Sequence, residues 1–290
     1  MSIIEIKNLT KYYKKHIVLD KINLTINNPG IYALVGPNGT GKTTFLNTIT
    51  NIISASSGSI KILNKCNKDY SIFKEVSYLQ DNSILFDYLN GYDHLKYICD
   101  VHKIEKKRIQ EVTTYVGMEN YLKKTVRNYS LGMKQHLLLA MSIINNPRLL
   151  LLDEPLNGLD PTSAILIRKI LLELAGKGTT IILSSHNLAE IDRITKQILF
   201  MKNGSIIWED MSIHEKTFYH ITTSDPELAW KVLIDERYKL ERNDRHIKLE
   251  LNNQSIQPVF TLLNDNKVDI LDIQKEIAGS EKRYEKLFEV

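Results

Sequence analysis

Residues 36–44 read GPNGTGKTT and satisfy the pattern G-x-x-x-x-G-K-[ST] at every fixed position. The apolar run IYALV (31–35) precedes them, and FLNTITNII (45–53) follows with apolar residues at helical spacing. A buried strand, a glycine-rich turn and a helix in that order point to a sheet flanked by helices. The residue types also carry a chemistry. Gly36, Gly39 and Gly41 let the backbone curl so that successive N–H groups face phosphate oxygens. Lys42 sets a cation against the outer phosphates of a nucleoside triphosphate, and Thr43 offers a hydroxyl to Mg2+. The helix that follows turns its positive end toward the same anion.

A second element with matching chemistry appears at LLLLDEP (149–155). The leucines bury a strand, and two carboxylates emerge at its C-terminal end, the edge where open α/β sheets bind ligands. Side chains of neighbouring strand residues face opposite sides, so Asp153 and Glu154 are expected to do different work. Asp153 is expected to reach the Mg2+ shell and Glu154 to face an attacking water. An ordinary glutamate pKa of about 4.3 makes a weak base, so orienting the water matters more than taking its proton. The next buried strand, TTIILSS (179–185), runs into SSHNLAE (184–190), which brings His186 to the same edge.

Buried strands alternating with helices imply an α/β core built on a parallel sheet. Residues 3–7 and 17–26 read as edge strands, 161–176 as an amphipathic helix, and 201–210 as a closing hairpin around Asn203-Gly204. Residues 84–145 are mostly helical in pattern and form an insertion between two halves of the core. From about 217 the order changes to strand, helix, strand, strand, helix, strand, followed by a last helix at 280–289. That order suits a small ferredoxin-like α+β domain. The expected division is therefore 1–211 and 212–290.

The bulk properties narrow the function classes. The chain has 290 residues and a formal net charge of +4, too mild to argue for nucleic acid without a clustered patch. Its two cysteines, Cys66 and Cys99, lack metal-ligand spacing and read as reduced. No apolar run approaches the roughly 18 residues needed to span a bilayer, and the first residues lack a signal-peptide layout. The expectation is an intracellular chain that depends on a partner for any work at a membrane.

One stretch stays unusual. NYSLGMKQHL (128–137) places Ser130 as an N-cap ahead of a helix with Met133, Leu137, Ala140, Met141 and Ile144 on one face. No acidic residue occurs between Arg127 and Asp153. Ser130, the Gly132 N–H and the helix's positive end read as an anion site. A left-handed Leu131 costs about 1–2 kcal/mol, so Leu131 is expected to be right-handed, with Gly132 the residue that lets a phosphate approach.

Loop, acid pair, histidine and helical insertion together resemble the ATP-binding subunit of ABC transporters over about residues 3–210. The resemblance implies a P-loop NTPase core and identifies Gly36–Thr44 as Walker A, Leu149–Asp153 as Walker B, Gln80 as the Q-loop glutamine, Asp160 as the D-loop aspartate and His186 as the switch histidine. It implies that Glu154 and His186 are catalytic. It places Gly36, Pro37, Asn38, Gly39, Thr40, Gly41, Lys42, Thr43 and Thr44 on the nucleotide, with Gln80, Ser130, Gly132 and Asp160. Thr43, Gln80 and Asp153 would serve Mg2+. Tyr13 looks like the aromatic that stacks on adenine, with Tyr12 the alternative and an ordinary strand tyrosine the bland reading.

The signature motif, usually L-S-G-G-Q, falls at Tyr129-Ser130-Leu131-Gly132-Met133. That form is similar to a subgroup exporting bacteriocins, lantibiotics and other amphipathic peptides. The resemblance implies an ATPase with ATP and Mg2+ as cofactors, peripheral at the cytoplasmic membrane face. Its partners would be permease subunits and a second, identical or closely related ATPase subunit. A non-transport ABC protein acting on nucleic acid or ribosomes is the competing reading. The single P-loop, the mild charge and the lack of cysteine-rich modules weigh against it.

Overall fold

The computed structural model describes residues 2–213, 216–243, 246–251 and 255–289. The chain forms two compact units that meet between Glu209 and Asp210. In chain order the first contains β1 (Ile4–Tyr13), β2 (His16–Ile26), β3 (Ile31–Val35), α1 (Lys42–Ile49), β4 (Ser57–Ile62), β5 (Lys65–Cys66) and β6 (Val76–Leu79). Next come the helices α2 (Gly91–His102), α3 (Lys107–Tyr115) and α4 (Leu131–Ile143). The unit ends with β7 (Leu149–Leu152), α5 (Pro161–Gly176), β8 (Thr180–Ser185), α6 (Leu188–Asp192), β9 (Gln197–Lys202) and β10 (Ser205–Asp210).

Six strands form one sheet in the order β10-β9-β3-β8-β7-β6. The pairs β9/β3, β3/β8, β8/β7 and β7/β6 are parallel. Every residue of β3, β7 and β8 is buried, which is why β3 and β7 read as unbroken apolar runs rather than alternating ones, while β8 also buries Thr180, Ser184 and Ser185. Their C-terminal ends deliver the P-loop, the acid pair and His186 to one edge.

The other four strands make a separate antiparallel sheet, β2-β1-β4-β5. β1 is therefore not an edge strand: it lies between β2 and β4, with Ile4 opposite both Ile26 and Ile62. The sequence reading missed this because SGSIKI (57–62) carries only two apolar residues, Ile60 and Ile62, and both are buried. α1 stops at Ile49, short of the apolar spacing that runs to residue 53, and Asn51 follows in a left-handed conformation. The hairpin of β9 and β10 turns through Asn203 and Gly204, both at positive φ, as a two-residue loop with those residues requires.

The insertion between β6 and β7 consists of α2, α3, α4 and short 3-10 turns. Asn90 and Asp93 close a reciprocal capping box at the start of α2. α4 departs from its expected one-sided face. Leu137, Leu138, Leu139, Ala140 and Ile143 are all buried while Met133 and Met141 are only half-buried, so its middle is enclosed on most sides. Leu131 opens α4 and has no positive φ, as the cost of a left-handed leucine requires.

The second unit contains β11 (Lys216–Thr223), α7 (Pro226–Asp235), β12 (Lys239–Asn243), β13 (His246–Glu250), α8 (Gln257–Asp265), β14 (Ile270–Ala278) and α9 (Ser280–Phe288). Its sheet, β12-β13-β11-β14, is antiparallel throughout and has the strand order of a ferredoxin-like fold. Ile221, Leu249, Leu233, Val259 and Leu263 form its own core. Because the second unit has this core of its own, truncation after residue 211 is expected to leave residues 1–211 folded. Circular dichroism and nucleotide binding check this: aggregation or lost binding would refute it.

On the sheet of the second unit, Glu276 accepts from Lys282 at 2.9 Å and pairs with His220 at 2.7 Å, with Lys248 at 3.3 Å. The Lys282 and His220 hydrogen bonds hold its carboxyl down to about 2. A depressed carboxyl stabilises the fold above its ordinary value near 4.5, and that contribution is lost as the pH falls toward 2. Melting of the full chain across pH 6 to 2 should therefore fall less steeply in Glu276→Gln than in the parent.

Candidate functional site

The P-loop is shaped by three glycines acting differently. Gly39 and Gly41 have φ of 82° and 103°, a left-handed region that penalises other residues. Gly36 has ordinary φ, but a Cβ there would lie 2.7 Å from the Met201 carbonyl oxygen, so the loop turns tightly against β9. Thr40 Oγ1 donates to the Pro37 carbonyl at 2.9 Å and braces the turn. No side chain caps α1, so its first amides and positive end are directed into the loop.

Lys42 is only 7% exposed. Its Nζ donates to the carbonyls of Gly36 at 2.8 Å and Pro37 at 3.3 Å, and stands 3.9 Å from Glu154 Oε1. Burial lowers its pKa, while Glu154 and Asp153 work in the opposite direction. The cation is thus tethered by the loop and matched by the acid pair.

Asp153 and Glu154 do diverge, though by a different route from strand alternation. β7 ends at Leu152, and Glu154 itself takes a left-handed φ of 50°. For a residue with a Cβ this costs roughly 1–2 kcal/mol, and such strain concentrates at functional sites. Asp153 faces the P-loop: its Oδ2 accepts from Thr43 Oγ1 at 2.6 Å, and its Oδ1 accepts from Ser184 Oγ at 2.5 Å. Glu154 turns toward His186, with Oε2 at 3.0 Å from its Nδ1, while Oε1 keeps its 3.9 Å contact with Lys42. The Glu154 N–H donates to Ser184 Oγ at 2.9 Å. His186 remains 46% exposed, open to a ligand arriving from solvent.

Gln80 follows β6, and its Nε2 donates to Asn47 Oδ1 of α1 at 3.1 Å. The Thr43 hydroxyl, Asp153 carboxylate and Gln80 amide are all oxygen donors, the kind a hard divalent cation takes. Among the described residues no group of three or more His, Cys, Asp or Glu is placed to hold a metal. A hydroxyl, one carboxylate and an amide oxygen suit Mg2+, which keeps waters and substrate phosphates in its shell. Tyr13 and Tyr12 end β1 and are 45% and 51% exposed, so either ring is open to stacking. Lys11 Nζ lies 5.0 Å from the centre of the Tyr13 ring.

Ser130, Gly132 and Asp160 form a second group. Ser130 Oγ accepts from Met133 N at 3.2 Å and caps α4. Asp160 Oδ1 accepts from the amides of Thr162 and Ser163 at 3.0 and 3.1 Å and caps α5, and bonding to Ser163 lowers its pKa. A Cβ on Gly132 would lie 2.8 Å from Ser163 Oγ and 3.3 Å from Asp160 Oδ2. A methyl there would have to displace the Ser163 hydroxyl, so Gly132 lets α4 pack closely on the start of α5, a contact the reading from phosphate approach did not include. Among the described residues no hydrogen bond or ion pair joins this group to residues 36–44. Two contributors escaped the sequence reading. Ser184 stood in a strand that read only as apolar, and Asn47 had no signal beyond its helical position.

The Gly132 geometry is directly testable by thermal melting. Gly132→Ala should destabilise the chain by about 1–3 kcal/mol through overpacking, and adding Ser163→Gly should recover most of the loss. An unshifted melting temperature in the single variant would refute the packing argument.

Comparison with known proteins identifies the family. The ABC transporter family matches residues 19–157. The ABC transporter ATP-binding protein YhcH of Bacillus subtilis is 30% identical over 98% of this chain and 95% of its own. The lantibiotic transport ATP-binding protein SrtF of Streptococcus pyogenes is 37% identical over 71% of this chain and 90% of its own. The bacitracin transport ATP-binding protein BcrA of Enterococcus faecalis is 30% identical over 96% of each. Among solved structures, an ATP-binding subunit of an ABC transporter shares the fold with a TM-score of 0.67 and 20% identity, covering 90% of this chain and 99% of that one. With whole-length relatives at this identity, a P-loop and a Walker B acid pair converging at one sheet edge, the chain belongs to the ABC transporter family, among its ATP-binding, ATP-hydrolysing subunits.

Proposed function

We propose that this ATPase drives export of amphipathic or antimicrobial peptides, with its Thr43–Asp153 and Lys42–Glu154–His186 contacts forming the hydrolytic centre. The carrying observation is the split of the acid pair. Asp153 is bonded to Thr43 of the P-loop, and Glu154 is turned to His186. Lys42 and the loop amides hold the β- and γ-phosphates, and Gly36, Pro37, Asn38, Gly39, Thr40, Gly41 and Thr44 shape the cradle around them. Thr43, Asp153 and Gln80 would hold Mg2+, which would supply positive charge against the transferring phosphoryl group. Glu154 orients the attacking water, and His186, hydrogen-bonded to it, faces the outgoing phosphate side. Tyr13 covers the adenine.

Ser130 and Gly132 serve the nucleotide held by a second subunit, packed head to tail under two-fold symmetry, with Asp160 at the same joint. No described helix is long and apolar enough to cross a membrane, so integral-membrane permease subunits supply the pathway. The chain then sits peripherally at the cytoplasmic face. The lantibiotic and bacitracin transport relatives, together with the Tyr129–Met133 signature, support peptides as cargo.

Lys42→Ala is expected to remove ATP binding, since charge-assisted contacts to phosphate contribute roughly 1.5–3 kcal/mol each. Isothermal titration checks this, and unchanged affinity would remove Lys42 from its role. Glu154→Gln should keep ATP binding, slow hydrolysis by ~10²–10³-fold and accumulate a dimer on size exclusion with ATP. A monomer with normal turnover would overturn both assignments. For cargo, vesicles carrying the chain with its co-purified membrane partner should accumulate a labelled amphipathic peptide in an ATP-dependent way. Recovery of nucleic acid in place of a membrane protein would instead favour a non-transport role.

A further inference from the structure

Ser184 is fully buried near the end of β8, opposite Leu34 of β3. The ladder between β7 and β8 runs through Leu152 opposite Leu183. Beyond that pair the ladder with β8 ends: the Asp153 N–H still donates to the Leu79 carbonyl of β6 at 3.0 Å, and Glu154 then turns left-handed. The Ser184 hydroxyl then takes over from the ladder. It accepts from the Glu154 N–H at 2.9 Å and lies 2.5 Å from Asp153 Oδ1. A serine hydroxyl has one proton to donate and lone pairs to accept, so both bonds form at once. The other Asp153 oxygen is taken by Thr43, and the Glu154 side chain reaches His186. One buried hydroxyl therefore joins the backbone of one carboxylate residue to the side chain of the other.

We propose that Ser184 is a positioning residue for ATP hydrolysis. Its hydroxyl holds Glu154 in the left-handed turn that aims the carboxylate at His186. The argument is one of competing costs. A left-handed glutamate is disfavoured, and a buried N–H with no partner is disfavoured as well. Ser184 removes the second penalty only when Glu154 adopts the first, so the hydroxyl selects the conformation. Without it, Glu154 relaxes toward an extended or helical φ, and its carboxylate swings off the His186 line. This inference rests on the reading of Glu154 as the water-orienting group.

The test uses the full chain with Ser184→Ala, made both in the parent and in Glu154→Gln. ATP affinity, measured with a fluorescent ATP analogue, should stay within about threefold of the parent. In the parent background kcat should fall about 10–100-fold, the scale of a group that orients a reacting side chain. In the Glu154→Gln background the same change should cost no further turnover, because the side chain Ser184 aims is already disabled. Hydrogen exchange of the peptide containing Glu154 should speed up in Ser184→Ala, a readout independent of activity. Ser184→Thr keeps the hydroxyl on a strand that favours β-branched residues and should retain most activity.

Equal losses in both backgrounds, a loss of ATP binding in proportion to kcat, or a folded Ser184→Thr as impaired as Ser184→Ala would each overturn the proposal. Full turnover in Glu154→Gln alone would instead overturn the reading of Glu154 on which it rests. If Ser184→Ala fails to fold, Ser184→Cys replaces it, being similar in size but a poor acceptor. The same fall in kcat is expected there, and unchanged turnover would refute the inference.

Discussion

Thr43 and Asp153 meet although they stand 110 positions apart in the chain, and that one contact depends on almost everything else in the first unit. β3 carries the P-loop and β7 carries the acids, with β8 between them in the parallel sheet. Register is set by the continuous burial of these strands: any slip that moved the loop relative to the acids would also pull apolar side chains out of register with the helices covering them. The core therefore enforces the geometry of the site. Fully buried Phe45, Leu46 and Ile49 hold α1 against the same core, so the helix that aims its positive end at the loop cannot tilt independently.

The helical insertion is tied to the core by an unusually enclosed α4. Leu137 to Ala140 and Ile143 leave little of the helix free, and its first turn meets the start of α5 at Gly132. The signature segment and the Asp160 cap are consequently one packed joint. Leu131 extends that joint: its Cδ2 would lie 2.9 Å from a Cβ on Gly158, which is itself left-handed. A motif that looked divergent from sequence thus places its leucine over a glycine that leaves room for it. Movement of the insertion must carry this joint or break it.

How much of this was legible follows from which signals are local. The P-loop announced itself because each of its residue types answers to one physical demand, and the structure adds only which glycine answers which. α5 was readable to the residue, since Asp160 caps it and Pro161 opens it. The hairpin at Asn203-Gly204 was readable for the same reason. β1 was misplaced because its second neighbour, β4, has too few apolar residues to register as a strand, and pairing is non-local information. α4 was read as one-sided because periodicity ranks positions by spacing, while enclosure depends on what the fold brings to the other side. Gly132 shows the same limit: sequence motifs name a glycine without saying which neighbour forbids the methyl.

The divergence of the acid pair gives the sharpest case. Strand alternation correctly requires Asp153 and Glu154 to separate, but alternation ends where β7 ends. The separation is instead produced by a backbone turn, and a turn can be stored or released where a pleat cannot. Lys42 lies 3.9 Å from Glu154, so its buried cation and the left-handed carboxylate residue stabilise one another electrostatically. Under the roles proposed for Lys42 and Glu154, a bound triphosphate gives Lys42 a stronger anion to face and weakens its hold on Glu154. The carboxylate is then left to the control of His186 through its side chain and of Ser184 through its backbone.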